Sequence, residues 1–381
     1  MPVRTGTADL PLHSGRVPAW MLRVMRRLAG AIISYMVEAR GPDAVLSMLA
    51  DPAWFQAFNN VIGMDWDSSG STTVVLGVLK SISWSTDLGF LVLGGKGGSM
   101  RLVPSEAVSA EEKLGVPAER IEEFSRASAR IDSALLQDGY DLYIHGVVVS
   151  STGRIVVVQQ GMNPGARMAR RYHLASASLA GDPHSGIAGT RGPVVLDAST
   201  PRARRARKAY LDIVGEGPRR FERLLREANR EALRGAGLDR WFSPGEAPQE
   251  SRPYYAPVRP SKHLIRAIER LASYPLAGED DLLRSPGLGP KTVRALALIA
   301  DIIYGVPTPS DDPVTHPLDP YLYAYAIGGK DGVPYKFDAR TAVEAYRFLE
   351  EALESSRLDN SLRDKALRRL RQRLRTLMGD G

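Results

Sequence analysis

The first half of the chain holds seven side chains of the kinds that activate water on a phosphate: Asp9, His13, Asp67, Asp138, Asp141, His145 and Gln160. Four of them fall in LQDGYDLYIHGVVVSSTGRIVVVQQGM, residues 136–162. Asp138 and Asp141 precede a β-branched run, His145 lies inside it, and Gln159 and Gln160 close the next run. Carboxylates beside one strand and a polar pair ending its partner can hold a hard divalent cation through oxygen. Such a cation polarises a phosphoryl group or activates a water. Asp9, Asp67 and Asp138 are therefore candidate ligands for Mg or Mn, and His13 or His145 a candidate general base. The histidines show no fixed i,i+4 pair, so a zinc helix is not indicated. All these residues also suit ordinary capping and turn chemistry, which is the competing reading.

Two loops add anion-binding groups. DWDSSGSTT (65–73) sets Asp65 and Asp67 before a run of hydroxyls that opens an apolar element. Such a loop can cradle phosphate or a hydrated divalent ion. It lacks the Gly-Lys-Ser/Thr ending of a nucleoside-triphosphate loop. GGKGGSMR (94–101) is a basic, glycine-rich turn suited to phosphate contact, though a glycine run alone says little.

The second half offers a different chemistry in AGEDDLLRSPGLGPKTVRALALIADIIYG, residues 277–305. A short acidic-start helix leads into Gly287-Leu288-Gly289, and Pro290 then sits at the first position of an apolar-periodic helix, where its missing N–H costs nothing. Free N–H groups at that helix start, with the positive end of the dipole behind them, make an anion site. Lys291 adds a charge, and Leu288 is placed to plug the turn into the core. Glycine at 287 and 289 would let the chain turn and let the backbone approach a phosphate. This stretch resembles a helix-hairpin-helix motif. The resemblance implies grip on a DNA backbone without sequence preference, through Gly287, Leu288, Gly289, Lys291, Thr292 and Arg294. IVGEGPRRFERLLREA (213–228) repeats the Gly-x-Gly-Pro-basic spacing, but Glu216 at the plug position favours a plain helix break.

Composition frames these sites. The chain has 381 residues, 44% hydrophobic and 24% charged, which predicts two or three folded domains. The absence of cysteine excludes disulfides, thiolate catalysis and iron–sulfur clusters. No apolar run approaches the roughly 20 residues of a membrane-spanning helix, and the first residues lack a secretory pattern, so no membrane partner and a cytoplasmic location are expected. A net charge of +7 collects in three blocks: 202–208, 219–234 and 363–375. The first and last blocks, the last with Arg368 and Arg371, have few acidic neighbours and are expected to meet a polyanion.

The elements follow from periodicity. Apolar residues at steps of three and four predict helices over 16–39 and 41–62, and β-branched runs flanking Ser-Thr-Gly predict a hairpin over 141–160. A strand is expected at 87–95 and another at 170–176. Residues 201–235 read as Arg-rich helix, and 243–262, with five prolines, as a linker. The expected class is α+β. An α/β N-terminal domain with a central β-hairpin and sheet (1–200) is followed by an Arg-rich helix and Pro-rich linker (201–261). An all-α domain with the hairpin motif (262–381) completes the chain.

RTGTADLPLHSGRVPAW, DWDSSGSTT, VQQGMN with ARRYH, and GLGPKTVRALALIAD followed by GGKDG together resemble domain-of-unknown-function family 763, from near the N-terminus to about residue 340. That resemblance implies one unit containing both halves and brings no reaction with it. The site at 136–162 is less like a restriction-endonuclease-like pattern, because Met162 stands where that pattern has the lysine that offsets charge on the scissile phosphate. Two functions are expected on these grounds. The first is a DNA-processing or repair enzyme, a nuclease using Mg or Mn. The second is a DNA-binding accessory protein without chemistry.

Overall fold

The computed structural model describes residues 10–11, 19–62, 69–176, 182–189, 191–192, 195–242, 257–285, 287–316 and individual positions between 347 and 371. The first half runs β1 (Leu10–Pro11), α1 (Ala19–Arg40), α2 (Pro42–Ala50), α3 (Pro52–Val61), α4 (Ser69–Ser85), β2 (Phe90–Lys96), α5 (Val103–Leu114) and α6 (Ala118–Arg130). It continues through β3 (Leu136–Gln137), β4 (Asp141–Ser150), β5 (Ile155–Asn163), β6 (Met168–Ala175), β7 (His184–Ala188) and β8 (Leu196–Asp197). Then come α7 (Arg204–Gly215), α8 (Pro218–Phe242), α9 (Lys262–Ala272) and α10 (Pro290–Tyr304). The helices expected over 16–39, 41–62 and 201–235, the hairpin of β4 and β5 and the strand at β6 are present among the described residues, and most of the all-α region expected beyond residue 316 lies outside them.

Strand alternation builds the centre. β-branched residues favour extended backbone, and successive side chains leave the strand on opposite sides. The main sheet is antiparallel throughout, in the order β1-β6-β5-β4-β2 with β7 also paired to β6, so the protein is α+β. One face, through Leu91, Leu93, Val147, Val149, Ile155 and Val157, packs with α5 to α10. The other, through Phe90, Val92, Val148, Val156 and Val158, packs with α1 to α4. Each such buried aliphatic side chain contributes about 1.5–3 kcal/mol over an exposed one.

The free edge of β2 is blunted by side chains. Ser83 Oγ accepts from Val92 N (3.2 Å), and Trp84 Nε1 donates to Val92 O (2.8 Å). Glu106 accepts from Gly94 N (2.7 Å), while Lys80 Nζ donates to Gly94 O (2.8 Å) and pairs with Glu106 (2.5 Å). An edge whose ladder groups are already bonded is a poor template for a second strand.

The later helices are joined to the sheet face through a shared apolar cluster that includes Phe221, Leu264, Leu288 and Val293. A five-residue π-helical segment, Ile131–Leu135, connects α6 to β3 and packs on α10. Between α7 and α8 the chain breaks at Gly217, whose φ of +84° is left-handed, and Glu216 is exposed and bonded to Arg220 and Tyr304. The second Gly-x-Gly-Pro is thus a helix break. Residues 306–316 run extended beside β7 and β8, with Asp197 N bonded to Pro309 O (3.0 Å) and Gly189 N to His316 O (3.1 Å). Among the described residues no helix is long and apolar enough to cross a membrane.

Candidate functional site

At the start of α10, Gly289 (φ −96°, ψ 168°) is the N-cap and Pro290 the first helical residue, and no side chain caps the helix. The first N–H groups of a helix have no intrahelical partner, so Lys291 and its neighbours present donors at this end. Leu288 is 2% exposed and joins the core cluster, filling the plug role expected of it. Gly287 has φ +88°, which side chains rarely adopt, and an added Cβ there would stand 3.5 Å from Arg270 Nε. At Gly289 the expectation from sequence needs correction. Its φ is ordinary and an added Cβ would meet nothing within 4 Å, so the turn itself does not require glycine there. Thr292 is buried and Arg294 half-buried, whereas Lys291 is exposed.

Charge around this turn is unbalanced. Arg270, Arg284 and Lys291 are exposed and make no ion pair among the described residues. The acids nearby are already occupied. Asp280 binds Arg207 (2.7 Å) and Arg204 (3.4 Å), while Asp281 accepts from the backbone of Ala277 (2.7 Å) and Gly278 (3.0 Å). The turn is also held in place from below, with Arg130 donating to Arg284 O (2.8 Å) and Gln137 to Pro290 O (3.0 Å).

The polar residues of the sheet are arranged differently, because they are buried and bonded largely to one another. Asp138 Oδ2 accepts from Arg170 Nη1 (2.7 Å) and from the Tyr172 hydroxyl (2.7 Å), and its Oδ1 accepts from Tyr140 N (3.1 Å). Arg170, fully buried, binds Asp312 Oδ2 on its other side (2.6 Å). Burial pushes the Asp138 carboxyl up, with Arg170 and Tyr172 pulling it back. Burial likewise opposes the charge on Arg170, yet the two carboxylates outweigh it and hold the guanidinium protonated. Asp138 is committed to this triad.

A second chain of bonds crosses the same face. Gln159 Nε2 donates to Ser128 O (3.0 Å) and Asp132 Oδ2 (2.5 Å), which leaves its Oε1 to accept from His145 Nδ1 (2.7 Å). His145 Nε2 is then the acceptor for Ser125 Oγ (2.7 Å). Burial lowers the His145 pKa. On the far side, His184 Nε2 meets Asp132 Oδ1 at 2.5 Å. Burial opposes charge on His184, but the Asp132 carboxylate overcomes it and raises the imidazole pKa.

The opposite face carries a third group. Arg171 Nε donates to His173 Nε2 (3.0 Å), Nη2 to Gln56 Oε1 (3.3 Å) and Nη1 to Thr72 Oγ1 (3.5 Å), and the guanidinium lies over Phe55 at 4.4 Å. His173 Nδ1 therefore donates to Leu49 O (2.7 Å). Burial, reinforced by Arg171, holds His173 well below its usual pKa and so neutral.

Four of the seven N-terminal candidates fall among the described residues, and they do not share one face of the sheet. His145 and Gln160 lie on opposite faces, since His145 pairs with Gln159 and Ile144 with Gln160. Asp141 is exposed at the start of β4, and Gln160 donates to Tyr143. Asp9, His13 and Asp67 lie outside the described residues. Among the described residues no group of three His, Asp or Glu has the geometry of a metal site. In the C-terminal basic block, Arg371 is paired with Glu350 (2.5 Å) and Glu354, and Arg368 donates to Asp364 O (3.2 Å). Leu367, next to Arg368, packs in the cluster of α1 to α4, across the sheet from Lys291. The residues that sequence reading passed over are Asp132, Ser125 and Asp312. The first two sit on helical segments where isolated polar residues look exposed, and Asp312 meets Arg170 from 142 residues away.

The chain matches the model of the family described as Protein of unknown function (DUF763) over residues 6–337, and it belongs to that family. The match spans both the sheet and the α10 turn. No curated protein and no solved structure matches the chain.

Proposed function

We propose that this protein binds the phosphate backbone of duplex DNA, without regard to sequence, through the turn that opens α10. The observation that carries this reading is the combination at that turn. An uncapped helix N-terminus lies beside Arg270, Arg284 and Lys291, and none of the three has an acidic partner among the described residues. Exposed cations of one sign cost self-repulsion that a polyanion relieves, and helix N–H groups donate directly to a phosphate oxygen. The open space at Gly289 suits such an approach, since the turn itself makes no use of it. Contacts of this kind read phosphate and sugar and carry no base information.

Binding of this kind needs no chemistry, and the nuclease expected from sequence is the second reading. A nuclease centre with Mg or Mn needs free carboxylates in one cleft. The buried ones described here are spent, Asp138 on Arg170 and Asp132 on His184. The test is a gel-shift titration with labelled duplexes of unrelated sequence, followed by incubation of the same complexes with Mg or Mn. Similar affinities that fall steeply with salt, and intact strands, are expected. Cleavage in either metal would restore the enzyme reading, and salt-independent or absent binding would remove the proposal.

A further inference from the structure

We infer that the π-helical segment Ile131–Leu135 is the positioning element of the α10 turn, and that the contact between Asp132 and His184 locks this segment to the sheet. The effect on duplex binding rests on the phosphate contact proposed for the turn. The segment lies between α6 and β3 and packs on α10. Its flanks hold the turn directly, Arg130 Nη1 donating to Arg284 O (2.8 Å) and Gln137 Nε2 to Pro290 O (3.0 Å). Those two carbonyls bracket Gly287, Leu288 and Gly289. The Gln137 amide also donates to Ala134 O (2.8 Å), which ties the turn to the segment itself. Ile131, Ala134 and Leu135 join the apolar cluster that takes Leu288 and Val293.

A π turn takes one residue more than an α turn, which moves the following side chains around the helix axis. Here Asp132 is buried against the sheet while Arg130 and Gln137 reach the turn. Asp132 bridges two strands, Oδ1 meeting His184 Nε2 of β7 (2.5 Å) and Oδ2 accepting from Gln159 Nε2 of β5 (2.5 Å). Removing one partner of a buried ion pair strands the other, so cutting this contact releases the segment and the two donors it carries. Three carboxylates act on His184: Asp132 from the π segment, Asp182 from the chain before β7 and Asp197 from β8. The Tyr172 ring of β6 lies at 6.3 Å, its hydroxyl bonded to Asp138, which is paired with Arg170. Beyond Gln159, Asp132 also acts on His145, which burial keeps low in pKa. His184 carries its charge below its raised folded value and loses it as pH rises through that value. The lock is therefore tightest on the acid side.

The test follows amide exchange over residues 287–293, relative to the interior of α10, together with duplex affinity in the full chain. Gln137→Leu changes no charge and removes one support. It should speed exchange at the turn about fivefold, the worth of one hydrogen bond, and weaken duplex binding severalfold. Asp132→Asn keeps the shape, removes the charge and should change both by about tenfold or more. His184→Gln should flatten the fall in duplex affinity between about pH 6 and 9. Arg170→Leu, equally buried on the same sheet face, is the control for a merely structural loss. It should lower global stability yet leave the relative exchange of the turn, and the affinity of the folded fraction, as they are. Should Asp132→Asn misfold, Gln137→Leu still decides, because Gln137 is only half-buried. Should the natural chain bind no duplex, the DNA reading falls and the exchange measurements decide the positioning role alone. Turn exchange unmoved by Gln137→Leu and Asp132→Asn, or moved equally by Arg170→Leu, overturns the inference. A natural pH profile in His184→Gln removes His184 from the lock.

Discussion

Arg170 lies fully buried between Asp138 and Asp312, while Lys291 stands exposed at a helix start among other unpaired cations. The first arrangement is closed on itself: two carboxylates hold the guanidinium, and one of them also accepts from a tyrosine. The second is open, because the acids of its neighbourhood are turned to Arg204, Arg207 and the backbone. Charge that the fold has already neutralised holds the fold together, and charge left over is available to a partner. The contrast leaves neutralised charge in the sheet and unpaired charge at the α10 turn, where binding is proposed, although the residue types alone suggest chemistry in the sheet.

Breaking the closed arrangement should have the largest effect. Arg170→Leu strands two buried carboxylates and should cost about 3–5 kcal/mol in urea unfolding, with duplex affinity of the folded fraction unchanged. A loss below about 1 kcal/mol would mean that the triad is solvated. Next comes the turn. Gly287→Val forces a β-branched residue to φ +88° and should cost about 1–2 kcal/mol, whereas Gly289→Ala should leave stability near that of the natural chain. Equal losses at the two positions would contradict the geometry described for the turn.

A smaller, signed effect concerns pH. His173 is held neutral in the fold, so its contribution to stability is present above the unfolded value of about 6.5 and is lost as pH falls toward its depressed folded value. His184 runs the other way, since its raised pKa gives stability that is present below about 6.5 and lost as pH rises through the folded value. Denaturant midpoints between pH 5 and 8 should therefore show His173→Gln flattening the acid loss and His184→Gln steepening it. The reverse order would show the assigned protonation states to be wrong. The smallest change is expected at the open site, where Lys291→Ala should lower the slope of log affinity against log salt by about 0.9, one phosphate contact.

Much of this fold is legible in the residues. β-branched runs around Ser-Thr-Gly give β4 and β5, and the steps of Met25, Leu28, Ile32 and Met36 give α1. The α10 turn is equally plain, because proline and glycine act locally and leave little for distant residues to change. The sheet's polar network is not legible in the same way. Asp138 beside a strand looks like a metal ligand until Arg170, which enters from β6, claims it. Arg170 and Arg171 are neighbours in sequence, yet strand alternation sends them to different faces and into unrelated groups. Asn59, on a helix with a polar-looking end, gives no sign in the sequence that it is buried. Pairings over long separations decide these cases, and local patterns carry no trace of them.

The central claim is best tested by one substitution at the turn, Gly289→Asp, read for stability and duplex binding together. Aspartate is a good N-cap and fits the backbone there, so the unfolding temperature should stay level or rise. Its carboxylate would occupy the place proposed for a phosphate, so affinity for every duplex should fall sharply and to the same degree. Undiminished duplex binding by a well-folded Gly289→Asp protein would contradict the account.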